Sequence, residues 1–123
     1  MMYGLEDDEL KLLNDTFAKT ANLKQVILYG SRAKGNNRPF SDVDITLVGD
    51  RLNDDDLADV VYRLSESSLP YFCDVSLFSQ LKNPALVDHI KRSPLQWFIN
   101  AEYLSVNKIH QRSVIVISPI MAQ

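Results

Sequence analysis

Three aspartates that stand in strand-like runs constrain this chain most. Asp42 and Asp44 open a run rich in β-branched residues, 43–48, and Asp74 lies within a second such run, 71–78. Aspartate is depleted in strands and is almost never fully buried without a partner, so acids in these positions need an explanation. Because side chains alternate between the faces of a strand, Asp42 and Asp44 would project from one face with Cα atoms about 6.5–7 Å apart. A sheet that places the second run beside the first would bring all three carboxylates together.

Such a group of carboxylates predicts a site for divalent metal. Hard oxygen ligands suit Mg²⁺, which binds through a few carboxylates together with waters and substrate phosphates. In a site with two ions about 3.5–4 Å apart, one ion activates an attacking hydroxyl and the other stabilises a leaving pyrophosphate. We therefore predict Asp42, Asp44 and Asp74 as metal ligands and catalytic residues, with two Mg²⁺ ions as the cofactor.

A phosphate-binding turn is predicted just upstream of the acids. The apolar run 26–29 leads directly into Gly30, Ser31 and Arg32. Glycine lets the backbone approach a phosphate closely, and Ser31 offers a hydroxyl and a main-chain N–H at the start of a short helix that Gly35 would end. Gly30, Ser31 and Arg32 are the predicted nucleotide-binding residues, and ATP or another nucleoside triphosphate is the predicted substrate.

Each of these features has a simpler interpretation when it is taken alone. A Gly-Ser pair is usually a turn, and an Asp-x-Asp pair is usually a loop or a capping pair. The cations Arg32, Lys34 and Arg38 could equally form a solvated surface, and Ser41 is better explained as a hydrogen-bonding support for the loop than as a catalyst. The combination of the three acids with their spacing from the Gly-Ser pair favours the metal site.

Together these residues resemble the signature of the DNA-polymerase-β-type nucleotidyltransferase superfamily. More narrowly, the chain resembles the minimal nucleotidyltransferases, which are stand-alone catalytic domains. Residues 30–35 match the first block of that family, and residues 41–45 match the second block, with ten residues between Ser31 and Asp42. The resemblance covers roughly residues 23–92.

The resemblance implies both a fold and a partner. The implied fold is a polymerase-β-like α/β (α+β) domain with a mixed sheet of three or four strands and flanking helices. Minimal nucleotidyltransferases are often paired with a helical protein of the HEPN class, and some act as antitoxins that transfer AMP to it. Because positioning the acceptor supplies much of a rate enhancement, we expect another chain to complete the acceptor site. That chain would be a HEPN-like or substrate-binding subunit, a second copy in a homo-oligomer, or the acceptor protein itself.

The expected activity is therefore Mg²⁺-dependent transfer of a nucleoside monophosphate, AMP from ATP, to a hydroxyl of a partner protein. Two alternatives stay open at this point. The acceptor could be a small-molecule hydroxyl, such as that of an aminoglycoside or a sugar, or the chain could be a nucleotide-binding partner module that does not turn over.

The remaining pattern predicts helices between the strands. Helical spacing and acids in the first turn predict a helix over about residues 6–19, and Asn53 and the pair Asn83-Pro84 are predicted helix starts. A first strand is expected over 25–29 and a third after Pro70, and Pro94 is expected to end the last helix. The tail 97–123 has no assigned role. Its apolar segment 113–118 could add an edge strand or dock on a partner, and core packing is favoured for the aromatic residues Trp97, Phe98 and Tyr103.

Composition limits the classes of protein to consider. With 123 residues and 46% apolar content, we expect one domain, residues 1–123, with a single core. The net charge of −3 and a pI near 5.2 argue against a nucleic-acid partner. No apolar run approaches the roughly 18 residues of a membrane helix and no leader precedes the domain, so we expect a cytoplasmic protein without a membrane partner. Cys73 is expected to pack in the core, and His89 and His110 are expected to be structural or solvated.

Overall fold

The structure, a computed structural model, describes residues 3–92 and the backbone of two later strands, 95–99 and 115–118. Helices alternate with strands along the first ninety residues, and a single 3₁₀ turn, Phe78–Gln80, follows the third strand. The elements are α1 (Asp7–Ala18), β1 (Gln25–Tyr29), α2 (Ser31–Lys34), β2 (Val43–Val48), α3 (Asp54–Ser65), β3 (Cys73–Leu77), α4 (Pro84–Lys91), β4 (Leu95–Ile99) and β5 (Ile115–Ser118).

The strands form one mixed sheet in the order β3-β2-β1-β4-β5. β2 and β3 are parallel, whereas β1 pairs antiparallel with both β2 and β4, and β4 pairs antiparallel with β5. The predicted mixed sheet with flanking helices is confirmed, with five described strands where three or four were expected. The additional strand is β4. It was not predicted, because a short apolar run such as 95–99 has no periodicity that distinguishes a strand from a helix. β5 forms an edge of this sheet, within the segment predicted to be strand-like.

The parallel pairing of β2 with β3 follows from the helix between them, since parallel neighbours need a crossover connection. α3 supplies that crossover and begins at the predicted residue. The side chain of Asn53 accepts a hydrogen bond from the Asp56 N–H at 2.9 Å, and the Asp56 carboxylate accepts one from the Asn53 N–H at 2.9 Å. Acids in this first turn also match the positive end of the helix dipole. Asn83 caps α4 with its side chain alone, which accepts hydrogen bonds from the Ala85 and Leu86 N–H groups, and Pro84 is at the first helical position, as predicted.

The main core lies between one face of the sheet and the helices α1 and α3. Alternate residues of the strands point to this face, which makes them the apolar half of each strand pattern. The buried side chains that form it are Leu5, Leu13, Phe17, Leu23, Val26, Leu28, Val43, Ile45, Leu47, Val60, Leu64 and Leu77. This face therefore takes no part in polar chemistry, and the chemistry is left to the opposite face.

The opposite face is covered in part by α4. Ile27 and Thr46 are register partners that point to this face, and both are buried, as is Ile90 of α4. The ring of His89 meets the ring of Tyr29 edge-on, with 6.5 Å between centroids. His89 is thus a packing residue, as expected.

The predictions for Pro94, His110, Tyr103 and the side chains of Trp97 and Phe98 lie outside the described residues. No helix in the described part of the chain has the length and apolar character needed to span a membrane.

Candidate functional site

The parallel register of β2 and β3 brings two of the predicted carboxylates side by side. Asp44 and Asp74 are directly paired, so both side chains leave the sheet on the face opposite the main core. Tyr29, the last residue of β1, pairs with Asp44 from the other side. Adjacent strands lie about 4.8 Å apart, so three neighbouring strands place these residues in one row across the sheet.

Asp42 joins this row from the loop that leads into β2. The segment is anchored at the next residue, where the Val43 N–H donates a 2.9 Å hydrogen bond to the Phe72 carbonyl oxygen. Asp42 and Asp74 are exposed, whereas Asp44 is half-buried. Burial, followed by the negative charges of Asp74 and Asp42, raises the pKa of the Asp44 carboxyl, and the charge of Arg32 opposes this rise. The charges of Asp74 and Asp42 therefore act on Asp44, and the burial of Asp44 makes its ionised form costly.

The carboxylates suit a metal that is shared with a substrate. Within residues 3–92 and the two later strands, no three His, Cys, Asp or Glu side chains are arranged as a ready-made metal cage. Mg²⁺ does not need such a cage, because it keeps several waters and binds through one or two carboxylates plus substrate phosphates. Three carboxylates with hard oxygen atoms, two of them open to solvent, fit that kind of site.

Gly30 packs against the side chain of Asp44, and no other type of residue fits at this position. Its φ of 80° and ψ of −154° belong to a region that is essentially restricted to glycine. A Cβ at this position would also collide with the Oδ2 atom of Asp44. The turn that begins the predicted phosphate-binding segment is therefore packed against the half-buried acid, and the two predicted parts of the site touch.

The predicted single-turn helix is confirmed in α2, and Ser31 is its first residue. Gly35 ends it in the left-handed region, with φ of 77°, and its N–H donates to the Arg32 carbonyl oxygen at 3.2 Å. The Asn36 N–H closes the turn on the Ser31 carbonyl oxygen at 3.1 Å. Ser31 is half-buried next to Gly30, where its hydroxyl and N–H stay predicted ligands of a phosphate.

Arg32 is fully buried, so the alternative of a solvated cation is wrong for this residue, although it holds for the exposed Lys34 and Arg38. The Arg32 guanidinium stacks on the Tyr71 ring, with Cζ 4.3 Å from the ring centroid. It donates hydrogen bonds to four backbone carbonyl oxygens, which belong to Tyr3 (3.1 Å), Gly4 (3.0 Å), Ser41 (2.6 Å) and Asp42 (3.3 Å). These bonds fix the backbone on which Asp42 stands. The predicted contact of Arg32 with nucleotide stays a prediction, and the bonds in this structure are to the protein backbone.

Ser41 has the supporting role predicted for it. Its hydroxyl accepts a 2.8 Å hydrogen bond from the Arg38 N–H, and its own N–H donates to the Arg38 carbonyl oxygen at 3.1 Å. Residues 38–41 thus form a closed turn immediately before the first acid.

A polar row that the sequence analysis missed lies behind the acids. Thr46 donates to the Ser76 carbonyl oxygen at 3.3 Å, and the Ser76 hydroxyl donates to Thr46 Oγ1 at 2.9 Å. Burial, and then the charges of Asp44 and Asp74, raise the pKa of the Tyr29 hydroxyl, and the neighbouring Ser76 side chain opposes the rise. The Tyr29 hydroxyl therefore stays protonated beside the acids. A signal for this row exists in the sequence, because Thr46 and Ser76 each follow an acid by two residues and so share its face.

Two other features of the described chain are not part of this arrangement. A cleft of about 520 Å³ lies between α1 and α3, on the side of the sheet opposite the acids, with Lys11, Asp15, Tyr62 and Arg63 in its lining. Some of its charged groups are held in exposed ion pairs, such as Lys11–Asp15 at 3.0 Å. Cys73 packs against the main core, and burial raises the pKa of its thiol to about 11, which argues against a nucleophilic thiolate.

Comparison with known proteins agrees with this geometry. The family model described as polymerase beta, nucleotidyltransferase, matches residues 11–96 of the chain. The search of curated proteins gives no match.

Solved structures add a likeness of fold. A toxin–antitoxin structure with AMP-PNP has a TM-score of 0.56 and 20% identity, over 83% of this chain and 79% of that chain. One mutant of the toxin–antitoxin pair MntA–HpeT has a TM-score of 0.55 and 17% identity, over 87% of this chain and 84% of that chain. Another has a TM-score of 0.57 and 19% identity, over 87% of each chain. The predicted superfamily and fold are confirmed.

Replacing the buried guanidinium should destabilise the protein. We expect Arg32→Met to lower the free energy of unfolding by roughly 3 kcal/mol, because buried carbonyl acceptors lose a charged donor. Lys34→Met is the matched control, since it removes an exposed cation from the same helix and should change stability by less than about 0.5 kcal/mol. Urea denaturation measures both, and equal stability of the two variants would contradict the structural role of Arg32.

Two glycines with positive φ allow the contact between Gly30 and Asp44 to be tested separately from backbone strain. Gly35→Ala should cost about 1–2 kcal/mol, the strain of a left-handed residue, because nothing lies within 4 Å of the added methyl group. Gly30→Ala should cost more, since it adds a clash with the Asp44 carboxylate to a conformation that only glycine adopts. Thermal unfolding of both variants measures the difference, and equal losses would mean that Gly30 and Asp44 do not touch.

Asp44 should lower the stability of the metal-free protein at neutral pH. Its pKa is raised in the folded state, so the fold binds the proton more tightly than the unfolded chain and loses stability as the pH rises through that pKa. In EDTA, Asp44→Asn should therefore melt at a higher temperature than wild type at pH 7, and the difference should shrink as the pH is lowered and Asp44 becomes protonated. Asp50→Asn, which removes an exposed acid paired with Lys24, should give no such gain. A lower melting temperature for Asp44→Asn at pH 7 would contradict this account.

Proposed function

The chain belongs to the polymerase β nucleotidyltransferase family, and we propose that it transfers AMP from ATP to a hydroxyl group of a partner protein. The observation that carries the proposal is the contact between the Gly30 turn and Asp44, beside Asp74. It puts a segment suited to phosphate next to carboxylates suited to metal, which is the pairing that transfer of a nucleotidyl group requires.

In the proposed reaction the acceptor oxygen forms a bond to the α-phosphorus of ATP. The bond from that phosphorus to the bridging oxygen of the β-phosphate breaks, pyrophosphate leaves with its electron pair, and the hydroxyl proton is released. Asp42, Asp44 and Asp74 would hold Mg²⁺, two ions in the proposal. When bound, Mg²⁺ supplies charge neutralisation on the phosphates and lowers the pKa of the acceptor hydroxyl.

The protein residues have distinct proposed roles. Gly30 and Ser31 would hold the β- and γ-phosphates through main-chain N–H groups and the Ser31 hydroxyl. Asp74 would take the proton of the acceptor hydroxyl, a role supported by its exposed position at the register of Asp44. Arg32 would act indirectly, by fixing the backbone of Asp42 through its hydrogen bond to the Asp42 carbonyl oxygen. The predicted contact of Arg32 with nucleotide is also part of the proposal.

The acceptor is proposed to be a protein, in the manner of an antitoxin acting on a helical, HEPN-like partner in the cytoplasm. What supports this is the shared fold with chains from toxin–antitoxin structures, one of them with AMP-PNP. The exposure of the acids also supports a protein acceptor. Two of the three carboxylates face solvent, where a group from another molecule can reach them. A homo-oligomer in which a second copy supplies the acceptor is the competing assembly.

The test is transfer of label from α-³²P-ATP in Mg²⁺ to proteins in a lysate of the organism that encodes the chain. Wild type should label a protein band, and Asp44→Asn should reduce the label about 100-fold or more, the scale on which losing one electrostatic contact to a transition state acts. Asp55→Asn is the matched control, because it removes an exposed acid from the first turn of α3 and should label as wild type does.

Each result leads to a different conclusion. A band that needs Asp44 but not Asp55 supports protein nucleotidylation. Label that is indifferent to Asp44 would overturn the assignment of the acids. If no protein is labelled but the chain binds Mg²⁺-ATP, a small-molecule acceptor would be favoured. If no protein is labelled and no pyrophosphate is released from ATP, a partner module that only binds nucleotide would be favoured.

A further inference from the structure

The ring of Tyr71 covers one face of the buried Arg32 guanidinium, with Cζ of Arg32 4.3 Å from the ring centroid. The donors of a guanidinium point outward in its plane, and those of Arg32 go to backbone carbonyl oxygens. The face of the group makes no such bonds, so a flat aromatic ring can lie against it and attract the cation without blocking the donors. The stack therefore holds the plane in which Arg32 donates its hydrogen bonds.

This stack joins the two chain segments that lead to the exposed acids. Tyr71 stands three residues before Asp74, in the segment that enters β3. Arg32 donates to the carbonyl oxygens of Ser41, at 2.6 Å, and Asp42, at 3.3 Å, in the segment that enters β2. The contact between Tyr71 and Arg32 thus bridges the approach to Asp74 and the approach to Asp42.

Strand pairing alone does not fix Asp42. The pairing of β2 with β3 begins at Val43 and Cys73, and the 2.9 Å hydrogen bond from the Val43 N–H to the Phe72 carbonyl oxygen adds one contact before it. Asp74 lies inside its strand, whereas Asp42 precedes the first residue of β2. The backbone at Asp42 is held by the bond from Arg32 instead, so the place of this acid relative to Asp74 depends on where the guanidinium lies.

Tyr71 is itself held from the side of α1. Its hydroxyl donates to the Glu9 carboxylate at 3.3 Å, and the same carboxylate accepts the Glu6 N–H at 2.8 Å, which closes the first turn of α1. The ring is half-buried and packs against the main core. Because these contacts do not involve Arg32, they give the guanidinium a fixed surface to lie on.

The proposed metal site needs such support. Mg²⁺ demands nearly ideal octahedral geometry, and the residues of a binding site must be held to within about 0.5 Å by the contacts around them. We propose that Tyr71 is a positioning residue for the proposed reaction: through its stack on Arg32 it fixes Asp42 relative to Asp74 and so prepares the two exposed carboxylates for Mg²⁺. This inference rests on the proposed function and adds to it a residue that touches neither nucleotide nor metal.

The experiment compares wild type with Tyr71→Leu, Tyr71→Phe and Phe17→Leu. Tyr71→Leu removes the stack, and Tyr71→Phe keeps the ring but loses the bond to Glu9. Phe17→Leu is the matched control, because it makes the same kind of change at a buried residue of α1 that belongs to the main core. Tyr71→Met, which also lacks a ring, takes the place of Tyr71→Leu if that variant does not fold.

The measured quantity is the factor by which Mg²⁺ tightens the binding of α,β-methylene-ATP. Calorimetry gives the dissociation constant of this analogue in Mg²⁺ and in EDTA, below the melting temperature of each variant, and the ratio of the two constants is the factor. No acceptor is needed, so the result is independent of what the acceptor is.

We expect Mg²⁺ to tighten binding by wild type and Tyr71→Leu to reduce the factor about fivefold or more. This effect is smaller than the tenfold or more typical of residues that bond a metal ligand's side chain, because Tyr71 acts through Arg32. Affinity in EDTA should change less than about twofold. Tyr71→Phe should keep most of the factor, and Phe17→Leu should keep all of it although it melts at a lower temperature.

Three results would overturn the inference. An unchanged factor in folded Tyr71→Leu would remove Tyr71 from the support of the acids and leave the proposed function intact. An equal loss in Phe17→Leu would mean that general destabilisation, and not the stack, lowers the factor, and an equal loss in Tyr71→Phe would assign the effect to the bond with Glu9. A wild type whose affinity is indifferent to Mg²⁺ would overturn the proposed function, and the inference with it.

Discussion

The buried guanidinium of Arg32 is the interaction on which the site end of the sheet depends. A guanidinium without solvent must have its donors satisfied, and here four backbone carbonyls and one aromatic ring do this. Two of those carbonyls belong to the loop before β2 and two to the segment before α1. Tyr71 extends the connection, because its hydroxyl donates to the Glu9 carboxylate at 3.3 Å. One side chain thus ties the start of the chain, the turn at α2 and the first acid together.

That support matters at Asp44, whose ionised form is costly for the fold to hold. Asp44 is half-buried beside two other negative charges, and the raised pKa of its carboxyl expresses the cost of keeping it ionised. Gly30, which makes the contact with Asp44, has a backbone conformation that other residues do not adopt. Arrangements that violate local preferences persist where the surrounding structure fixes them, and they concentrate at functional sites. The polar row of Tyr29, Thr46 and Ser76 continues this pattern behind the acids.

Patterns within short stretches of sequence were enough to predict several helices and strands and to single out the three acids. The strands 25–29 and 43–48, the caps at Asn53 and Asn83, and the glycine end of α2 all follow from patterns within a few residues, and the structure has them where they were predicted. The register that pairs Asp44 with Asp74 is a property of the tertiary fold, and the prediction could only state it as a condition. The burial of Arg32 was not predictable in this way. Its hydrogen-bond acceptors are backbone carbonyl oxygens of distant segments, and every residue has such a group, so the sequence does not indicate which ones are used.

The unequal exposure of the three acids divides the site into an inner and an outer part. Asp44 lies against the Gly30 turn and is half-buried, so it belongs with the segment suited to the triphosphate. Asp42 and Asp74 are open to solvent. The proposed transfer needs such a division, because its two substrates must reach the reacting phosphorus from different sides. In the proposed reaction the inner part would hold the triphosphate within the described residues, and the exposed carboxylates of the outer part would face the acceptor.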